Sequence, residues 1–456
     1  MVPRPVNFDL IIVGGGAGGL GAARAARWTG AKVAIVNDGP LGGDCTFTGC
    51  VPSKTLLAAA AQGASFDEAM ARVRSTVDEI AATETAVVLR AEGVTVIEGR
   101  AHLTTHDTVA VGRDRYTAPR VIVATGGRPF IPPIPGLGDV EVLTNEEVFS
   151  LAAAPASIGV IGGGSIGCEM AQALHGLGVA VELFESEPRL LTKEEPEAGA
   201  VVESALRARG IGVHTNAMIE RVEQRPDGIA LITNEGETLV ERLLIAVGRV
   251  PNSAGLGLEG LGVKLDGRGH IETDDRLQTA TRGVFAVGDV TGKSPFTHAA
   301  DEMGRLAAGN ALRKGTRGRF QTKWIPWATF TMPEVARVGL TEAEAATRGG
   351  CVAELPLSEM DRAITDGQTD GFIKLIAGPK RLTRNAFGGE IIGATIVAPR
   401  AGEMIHEAAL AMRTQMFAGR LAQTVHAYPT WSYGIQKTAG QFFGEVEGRT
   451  ARSAKP

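Results

Sequence analysis

The sequence predicts an α/β protein built from two Rossmann-like dinucleotide-binding domains and a C-terminal α+β domain. Three observations predict it. A glycine-rich turn follows a short apolar strand at Gly14, a second copy of the same pattern begins at Gly162, and a strand-and-helix pattern past Trp324 belongs to neither copy. A chain of 456 residues is also too long for one hydrophobic core, since chains beyond ~250–300 residues divide into domains.

The first copy is the strand Leu10–Val13, the turn Gly14-Gly15-Gly16-Ala17-Gly18-Gly19 and the alanine-rich helix Leu20–Trp28. Gly14 permits the tight turn, Gly16 lets the backbone approach a pyrophosphate, and Gly19 lets helix and strand pack closely. The helix N-terminus then offers unpaired N–H groups and a partial positive charge to phosphate. A second strand, Lys32–Val36, completes the βαβ unit. The second copy runs Ser157–Ile161, then Gly162-Gly163-Gly164-Ser165-Ile166-Gly167, a helix through Leu174 and the strand Val179–Phe184, with Gly162, Gly164 and Gly167 in the three roles. From the first glycine to the polar residue at the end of the second strand is 23 positions in both copies, Gly14 to Asn37 and Gly162 to Glu185.

Those strand-end residues select the ligand. Glu185 accepts hydrogen bonds from adenosine ribose hydroxyls and repels a 2′-phosphate, which favours NADH over NADPH on the second loop. Asn37, followed by Asp38, bonds a ribose hydroxyl through its amide but lacks the acidic signature.

Cys45 and Cys50 stand close together in Gly42-Gly43-Asp44-Cys45-Thr46-Phe47-Thr48-Gly49-Cys50-Val51-Pro52-Ser53-Lys54. A pair so spaced closes into a small ring and reopens, storing two electrons as a dithiol. Thiolate is the working nucleophile, so a positive neighbour or a helix N-terminus is expected to depress the pKa. Val51–Leu57 reads as a helix with proline in its first turn, which brings a positive dipole end near Cys50. Cys168, beside Glu169, reads as core filler, and Cys351 as a bystander.

Composition agrees and excludes other classes. With 44% apolar and 21% charged residues the chain is that of a soluble globular protein, and its 60 glycines are nearly twice the ordinary ~7%. No repeat accounts for them, so turns and phosphate loops do. A net charge of −5 provides no basic footprint for nucleic acid. No apolar run approaches the ~18 residues of a membrane span, and Met1–Phe8 is unlike a signal peptide. Four cysteines are too few for a secreted disulfide scaffold. The expected location is the cytoplasm.

These features resemble the flavoprotein disulfide reductases: glutathione reductase, dihydrolipoamide dehydrogenase and mercuric reductase. The resemblance covers roughly residues 8 to 444, and its motifs arrive in family order. After the first loop and the cysteine segment come Ala124-Thr125-Gly126-Gly127-Arg128-Pro129, the second loop, Ala246-Val247-Gly248-Arg249-Val250-Pro251-Asn252, Gly283–Asp289 and Phe330–Ala336. The resemblance implies FAD on the first loop, with Thr125, Gly126 and Asp289 among its contacts and Asp289 on the ribityl chain, and a nicotinamide nucleotide on the second loop, with Gly248 nearby. Lys54 would lie by the flavin ring with Glu169 as its ion-pair partner. Electrons would pass from NADH through flavin to Cys50, releasing Cys45 as the interchange thiolate. The two arginines that hold the extra phosphate in NADPH-using relatives align with Ser186 and Thr192, which again favours NADH.

The chain departs from the family at its C-terminal segment, His426-Ala427-Tyr428-Pro429-Thr430-Trp431-Ser432-Tyr433. Tyr428 occupies the position of the acid–base histidine of glutathione and lipoamide enzymes, and Tyr433 that of its orienting glutamate. A phenol with pKa near ~10 does not shuttle protons at neutral pH as an imidazole near ~6.5 does. Loss of a positioned base removes on the order of 10²–10⁴-fold in rate. His426 is expected on the same face as Tyr428, about 7 Å away. Mercuric reductases also carry a tyrosine here, and Gly42-Gly43-Asp44-Cys45-Thr46 resembles that branch, but the branch's C-terminal cysteine pair and metal-carrying N-terminal domain are not matched, and no resident metal site is read.

The expected organisation is an FAD domain at 1–146 and 276–324, an NAD(P) domain at 147–275, a dimerisation domain at 325–444 with strands Phe372–Ile376 and Ile391–Ile396 before helix Ala401–Met412, and a disordered tail at 445–456. The resemblance implies an obligate homodimer in which Tyr428 and Tyr433 complete the partner's site. The expected activity is NADH-dependent reduction, through FAD and Cys45/Cys50, of a small-molecule or metal–thiolate acceptor such as Hg(II) or a disulfide. The alternatives are a dihydrolipoamide-dehydrogenase-like enzyme and a redox-sensing or electron-carrier flavoprotein with little turnover.

Overall fold

Short runs that are apolar on every residue, such as Leu10–Val13 and Val121–Val123, suit strands covered on both faces, and such strands assemble into parallel sheets. A computed structural model of the chain bears this out and describes residues 6–313, 315, 318–380 and 386–456. The first five residues, part of the expected FAD domain, lie outside the described residues. By contact density the chain divides into two units, one of residues 1–132, 143–154 and 247–322, the other of 133–142, 155–246 and 323–456.

In the first unit a five-stranded parallel sheet is ordered Val284–Ala286, Val121–Val123, Leu10–Val13, Val33–Asn37, Thr95–Glu98. The order places the first strand of the βαβ unit at the centre, where the chain crosses from one side of the sheet to the other and leaves a crevice at the strand ends. Helix Ala17–Arg27 leaves the central strand and packs on helix Thr297–Leu312. The packing is close because Gly304 faces the Gly18 carbonyl, where a Cβ would collide. The helix begins three residues earlier than its sequence pattern suggests, because the last glycines of the turn are already helical.

The second unit repeats the arrangement. Parallel strands Arg242–Ile245, Ser157–Ile161, Ala180–Phe184 and Gly212–His214 lie in that order, and helix Ser165–Gly176 follows the glycine turn. The same unit holds a six-stranded sheet ordered Trp327–Thr329, Glu334–Gly339, Glu390–Ala398, Phe372–Gly378, Cys351–Pro356, Arg452–Ser453, with helices Ala401–Arg413 and Tyr433–Gly440 on its core. The two strands and the helix read from the C-terminal sequence are present, each slightly longer than expected.

The tail does not conform to expectation. Residues 445–456 were expected without structure, yet Arg452–Ser453 pairs antiparallel with Cys351–Val352. Backbone bonds Ala451 N–Gln441 O and Ala454 N–Gly350 O hold the tail, and charge adds to them. Lys374 is fully buried, with Glu342 at 3.1 Å, Glu197 at 3.2 Å, Glu354 at 3.6 Å and Glu195 at 3.9 Å. One lysine among four carboxylates leaves negative charge uncompensated, and Arg452 binds Glu342 through both terminal nitrogens. Burial raises the Glu342 carboxyl, but hydrogen bonds from Arg452 and Lys374 hold it down at about 2.

Removing one partner of a buried charge cluster costs about 3–5 kcal/mol, and Lys374→Met is expected to lose that much in urea unfolding. Because the folded Glu342 pKa lies below its unfolded value, its stabilisation is present above the ordinary carboxylate range and is lost as pH falls toward about 2. Arg452→Ala should move that loss to higher pH, read by thermal melts across an acid series.

Candidate active site

Two helices set the thiols. Gly42 and Gly43 have φ of +110° and +64°, a backbone that favours glycine, and turn the chain into the short helix Gly43–Phe47 that carries Cys45. A side chain at Gly42 would also collide with Thr46 and Glu84, which are themselves hydrogen-bonded at 3.0 Å. Helix Cys50–Ala61 starts directly on the second cysteine, with Pro52 in its first turn as expected and Lys54 one turn further. Cys45 is half-buried and Cys50 exposed. Cys50 Sγ lies 3.3 Å from the hydroxyl of Thr297, the first residue of the long helix in that unit.

The thiols are coupled. A hydrogen bond with the Cys50 sulfur, then burial, then the charge on Cys50 push the Cys45 thiol far above its ordinary range, while Thr297 opposes them. This corrects the expectation of a depressed Cys45. Withdrawing the charge on Cys50 would remove one of the causes that raise the Cys45 thiol, leaving burial to oppose its ionisation.

In the same unit the first glycine loop forms a cradle. Gly14 has φ of +109°, and a Cβ there would meet the Ala124 carbonyl. A Cβ at Gly19 would run into the Gly14 carbonyl oxygen. Gly16 caps the helix in extended conformation with no side-chain cap, so the first-turn N–H groups face the crevice. Asn37 Oδ1 accepts from Gly15 N at 2.8 Å, and its Nδ2 donates to Gly39 O at 2.6 Å. Asp38 is exposed beside it. A groove of about 430 Å³ runs from Asn37 past Asp78, Glu84 and Thr85 to Glu98.

Thr125 donates to Asn252 O at 2.7 Å, Asn252 Nδ2 returns a bond to Thr125 O at 3.1 Å, and Gly126 O accepts from Asn252 N at 3.0 Å. Gly248 O accepts from Phe130 N. Asp289 is pushed up by burial and held back by Arg249, whose Nε lies 3.5 Å from its carboxylate. The same guanidinium binds Asp44, next to Cys45, and Gly127 O. Its buried Nε makes no hydrogen bond among the described residues. A glycine cradle that excludes Cβ atoms and an uncapped helix end fit the pyrophosphate of a dinucleotide such as FAD, with a largely apolar groove beside Asn37.

The second loop, in the other unit, has the same backbone. Gly162 has φ of +115°, Gly164 caps its helix as Gly16 does, and a Cβ at Gly167 would run into the Gly162 carbonyl oxygen. Glu185 takes the place of Asn37, accepting from Gly163 N at 2.7 Å and Glu187 N at 2.9 Å. Ser186 donates to the same carboxylate. The nearby Arg189 is committed to the carbonyls of Leu191 and Thr192. Cys168 is fully buried and points at Gly163 O, its thiol pushed up by burial, in keeping with a core role. Glu169 is 4% exposed and accepts from Phe330 N at 2.9 Å.

At the C-terminal segment, Tyr428 is 66% exposed and its hydroxyl donates to Asp361 Oδ2 at 2.9 Å. Its ring meets Tyr433 edge-on at 5.7 Å. His426 is not poised beside it as a substitute base. Its Nε2 lies 3.0 Å from Glu407, its Nδ1 2.9 Å from Thr424 O, and these bonds hold its pKa up against burial.

The structure therefore gathers Cys45, Cys50, Lys54, Asn37, Asp289 and the first-loop residues in one unit, and Glu169, Glu185, Tyr428, Tyr433 and the second loop in the other. Sequence reading missed Thr297 and Asp361, which no local pattern marks. It quoted Arg249 and Asn252 inside a motif without a role.

Residues 8–304 match the family model described as pyridine nucleotide-disulphide oxidoreductase, and residues 325–439 match that family's dimerisation domain. A mercuric reductase of Bacillus cereus is 34% identical, the alignment covering 96% of this chain and 72% of that protein. A dihydrolipoyl dehydrogenase of Thermus scotoductus is also 34% identical, covering 95% and 97%. Among solved structures, a copper(II) complex of the HOCl-induced flavoprotein disulfide reductase RclA from Escherichia coli has a TM-score of 0.87 at 27% identity, covering 95% of this chain and 99% of that one.

The coupling of the thiols is open to test without any acceptor. In Cys50→Ser the largest cause of the Cys45 elevation is removed, so the pH midpoint of Cys45 alkylation by iodoacetamide, followed by mass spectrometry, should fall. An unchanged midpoint would show that burial alone sets it.

Proposed function

The chain belongs to the pyridine nucleotide-disulphide oxidoreductases and is an NAD(P)H-dependent flavoprotein disulfide reductase, and on that premise we propose that it reduces a soft metal–thiolate acceptor, such as Hg(II), with NADH as donor. Bound FAD would supply the two-electron link between nicotinamide nucleotide and thiols. Gly14, Gly16, Gly19, Asn37 and Asp38 would hold its adenosine and pyrophosphate, Thr125, Gly126 and Asp289 its remainder, and Lys54, paired with Glu169, would adjoin its ring. Gly162, Gly164, Gly167, Glu185 and Gly248 would hold NADH. Cys45 would meet the acceptor and Cys50 would face the flavin.

Relatives of both named activities include proteins 34% identical to this chain, so overall likeness does not choose between them. The observation that carries the choice is the C-terminal segment: a tyrosine at the position of the family's proton shuttle, with His426, two residues before it, tied to Glu407. A disulfide acceptor needs protons delivered to its departing sulfur, whereas two thiolates capture a soft cation without them. The copper(II) complex of a related reductase supports a metal in this chemistry. The reading includes a homodimer through residues 325–444, in which Tyr428 and Tyr433 face the partner's thiols, flavin and nucleotide domains at the bounds given above, and a cytoplasmic location. Among the described residues no helix is long and apolar enough to cross a membrane.

The carboxylate of Glu185 supports NADH, since a 2′-phosphate would place like charge against it. Glu185→Ser is expected to narrow the NADH-to-NADPH ratio of kcat/KM by about tenfold, or ~1.4 kcal/mol; an unchanged ratio would remove Glu185 as the discriminator. Steady-state NADH oxidation with Hg(II), lipoamide and a quinone side by side tests the acceptor. Hg(II) should be the best of the three, Cys45→Ser should abolish that activity, and lipoamide turnover above that with Hg(II) would reverse the assignment.

A further inference from the structure

The two acceptor classes differ in their proton balance. Reduction of a divalent cation is NADH + M²⁺ → NAD⁺ + M⁰ + H⁺, and no bond to hydrogen forms at the metal. Thiolates that carried the metal exchange on it without protonation at the reacting atom. Reduction of a disulfide is NADH + RSSR + H⁺ → NAD⁺ + 2 RSH. There, a bond forms between Cys45 Sγ and one substrate sulfur, the substrate S–S bond breaks, and the departing thiolate takes a proton from a donor at the site. A group that meets the acceptor therefore favours a disulfide if it presents a proton and a cation if it presents lone pairs.

A phenol has one proton and two lone pairs, and in this chain the proton is already committed. Tyr428 donates it to Asp361 Oδ2 at 2.9 Å. The hydroxyl is the donor, because a carboxylate accepts. The ring is held in that orientation from a second side by its edge-on contact with Tyr433 at 5.7 Å. Tyr433 in turn lies under Lys437, whose ammonium is 5.3 Å from the ring centre and is tied to Glu447. The charged and titratable groups facing the phenol are thus Asp361, Lys437 and Tyr433. Asp361 itself stands at the first position of helix Asp361–Asp366, which fixes its carboxylate on the sheet's connecting segment rather than on a mobile arm.

We infer that Asp361 is the positioning residue that sets the acceptor class: by taking the hydroxyl proton of Tyr428, it turns the phenol oxygen's lone pairs outward and so selects an electrophilic cation over a disulfide. The inference rests on the reading that Tyr428 meets the acceptor of the Cys45–Cys50 pair, and deepens it. It also assigns a consequence to one atom. In Asp361→Asn the amide nitrogen can donate to the phenol, which frees the hydroxyl proton for a departing thiolate.

Two measurements test it. The first needs no acceptor: the chain contains three tyrosines, so phenolate absorbance can be followed against pH and Tyr428 assigned by difference from Tyr428→Phe. Asp361 raises the Tyr428 pKa through its hydrogen bond and its charge, so Asp361→Asn should lower that midpoint, and an unmoved midpoint would overturn the pairing. The second compares kcat/KM for lipoamide and for Hg(II) in the intact flavoenzyme. Asp361→Asn should shift the ratio toward lipoamide by at least about tenfold, the lower range for a positioned acid. Tyr428→Phe should lower kcat/KM for Hg(II) by a larger factor than for lipoamide, because the phenol's lone pairs serve the cation while its proton is withheld from the disulfide. Equal losses with both acceptors in Tyr428→Phe, or an unmoved ratio in Asp361→Asn, would overturn the inference. If the unmodified enzyme turned over neither acceptor, the functional reading would fail, and the tyrosine titration would still decide whether Asp361 holds the proton.

Discussion

The fold hangs on a contact between two pieces of backbone. In each nucleotide-binding half, the third glycine of the turn presses against the carbonyl of the first, Gly19 on Gly14 and Gly167 on Gly162. Only the absence of a Cβ permits it. That approach seats the helix directly over the end of the central strand, so its N-terminal N–H groups open into the crevice where the strand order reverses. Everything chemical in the first unit is placed relative to that crevice. The thiol helices lie one connection downstream of the Val33–Asn37 strand, and Asp289 follows the Val284–Ala286 strand at the sheet edge.

Much of this was legible because it is local. Strand Leu10–Val13, both glycine turns and the helix after Gly49 depend on residues within a few positions, and the 23-residue spacing to Asn37 and Glu185 follows from one strand–helix–strand repeat. What escaped was long-range or cooperative. Thr297 reaches Cys50 across 247 positions, and Asp361 reaches Tyr428 across 67. No window of sequence contains either pair. The elevated Cys45 thiol was misread for a different reason: a helix dipole acts on one group at a time, whereas the second sulfur acts on the first only when both are reduced and close.

The tail was misread because composition describes a segment and not what it meets. Residues 445–456 are polar, glycine-containing and rich in charge, as a solvated terminus is. Part of their order comes from the charge cluster around Lys374, 78 residues away from Arg452 and buried in the Phe372–Gly378 strand. Four carboxylates converge on that lysine, and a cation arriving from solvent at Glu342 relieves the excess. The alternating burial expected of a sheet face is suspended there: every residue of that strand is buried, the lysine included.

The two latches of the nucleotide loops separate what a fold requires from what a ligand reads. Asn37 and Glu185 perform the same structural act, accepting from the N–H of the second loop glycine at 2.8 and 2.7 Å. Closure of the loop therefore does not depend on charge, which is why an amide serves as well as a carboxylate. The difference lies in the capacity left over. Asn37 spends its amide hydrogens on the carbonyls of Gly39 and Pro40 and has one oxygen, already bonded, for a ribose. Glu185 binds Gly163, Ser186 and Glu187 and, with about four lone-pair sites on a carboxylate, keeps room for a further hydroxyl. Its charge remains to act on whatever the 2′-position carries. On the proposed assignment, ligand choice at the first loop falls to the groove beside Asn37, whose lining includes Glu84 and Glu98, while at the second it is concentrated in one side chain. A tightly held cofactor tolerates distributed recognition; a nucleotide that exchanges on every turnover is better discriminated at a single atom pair.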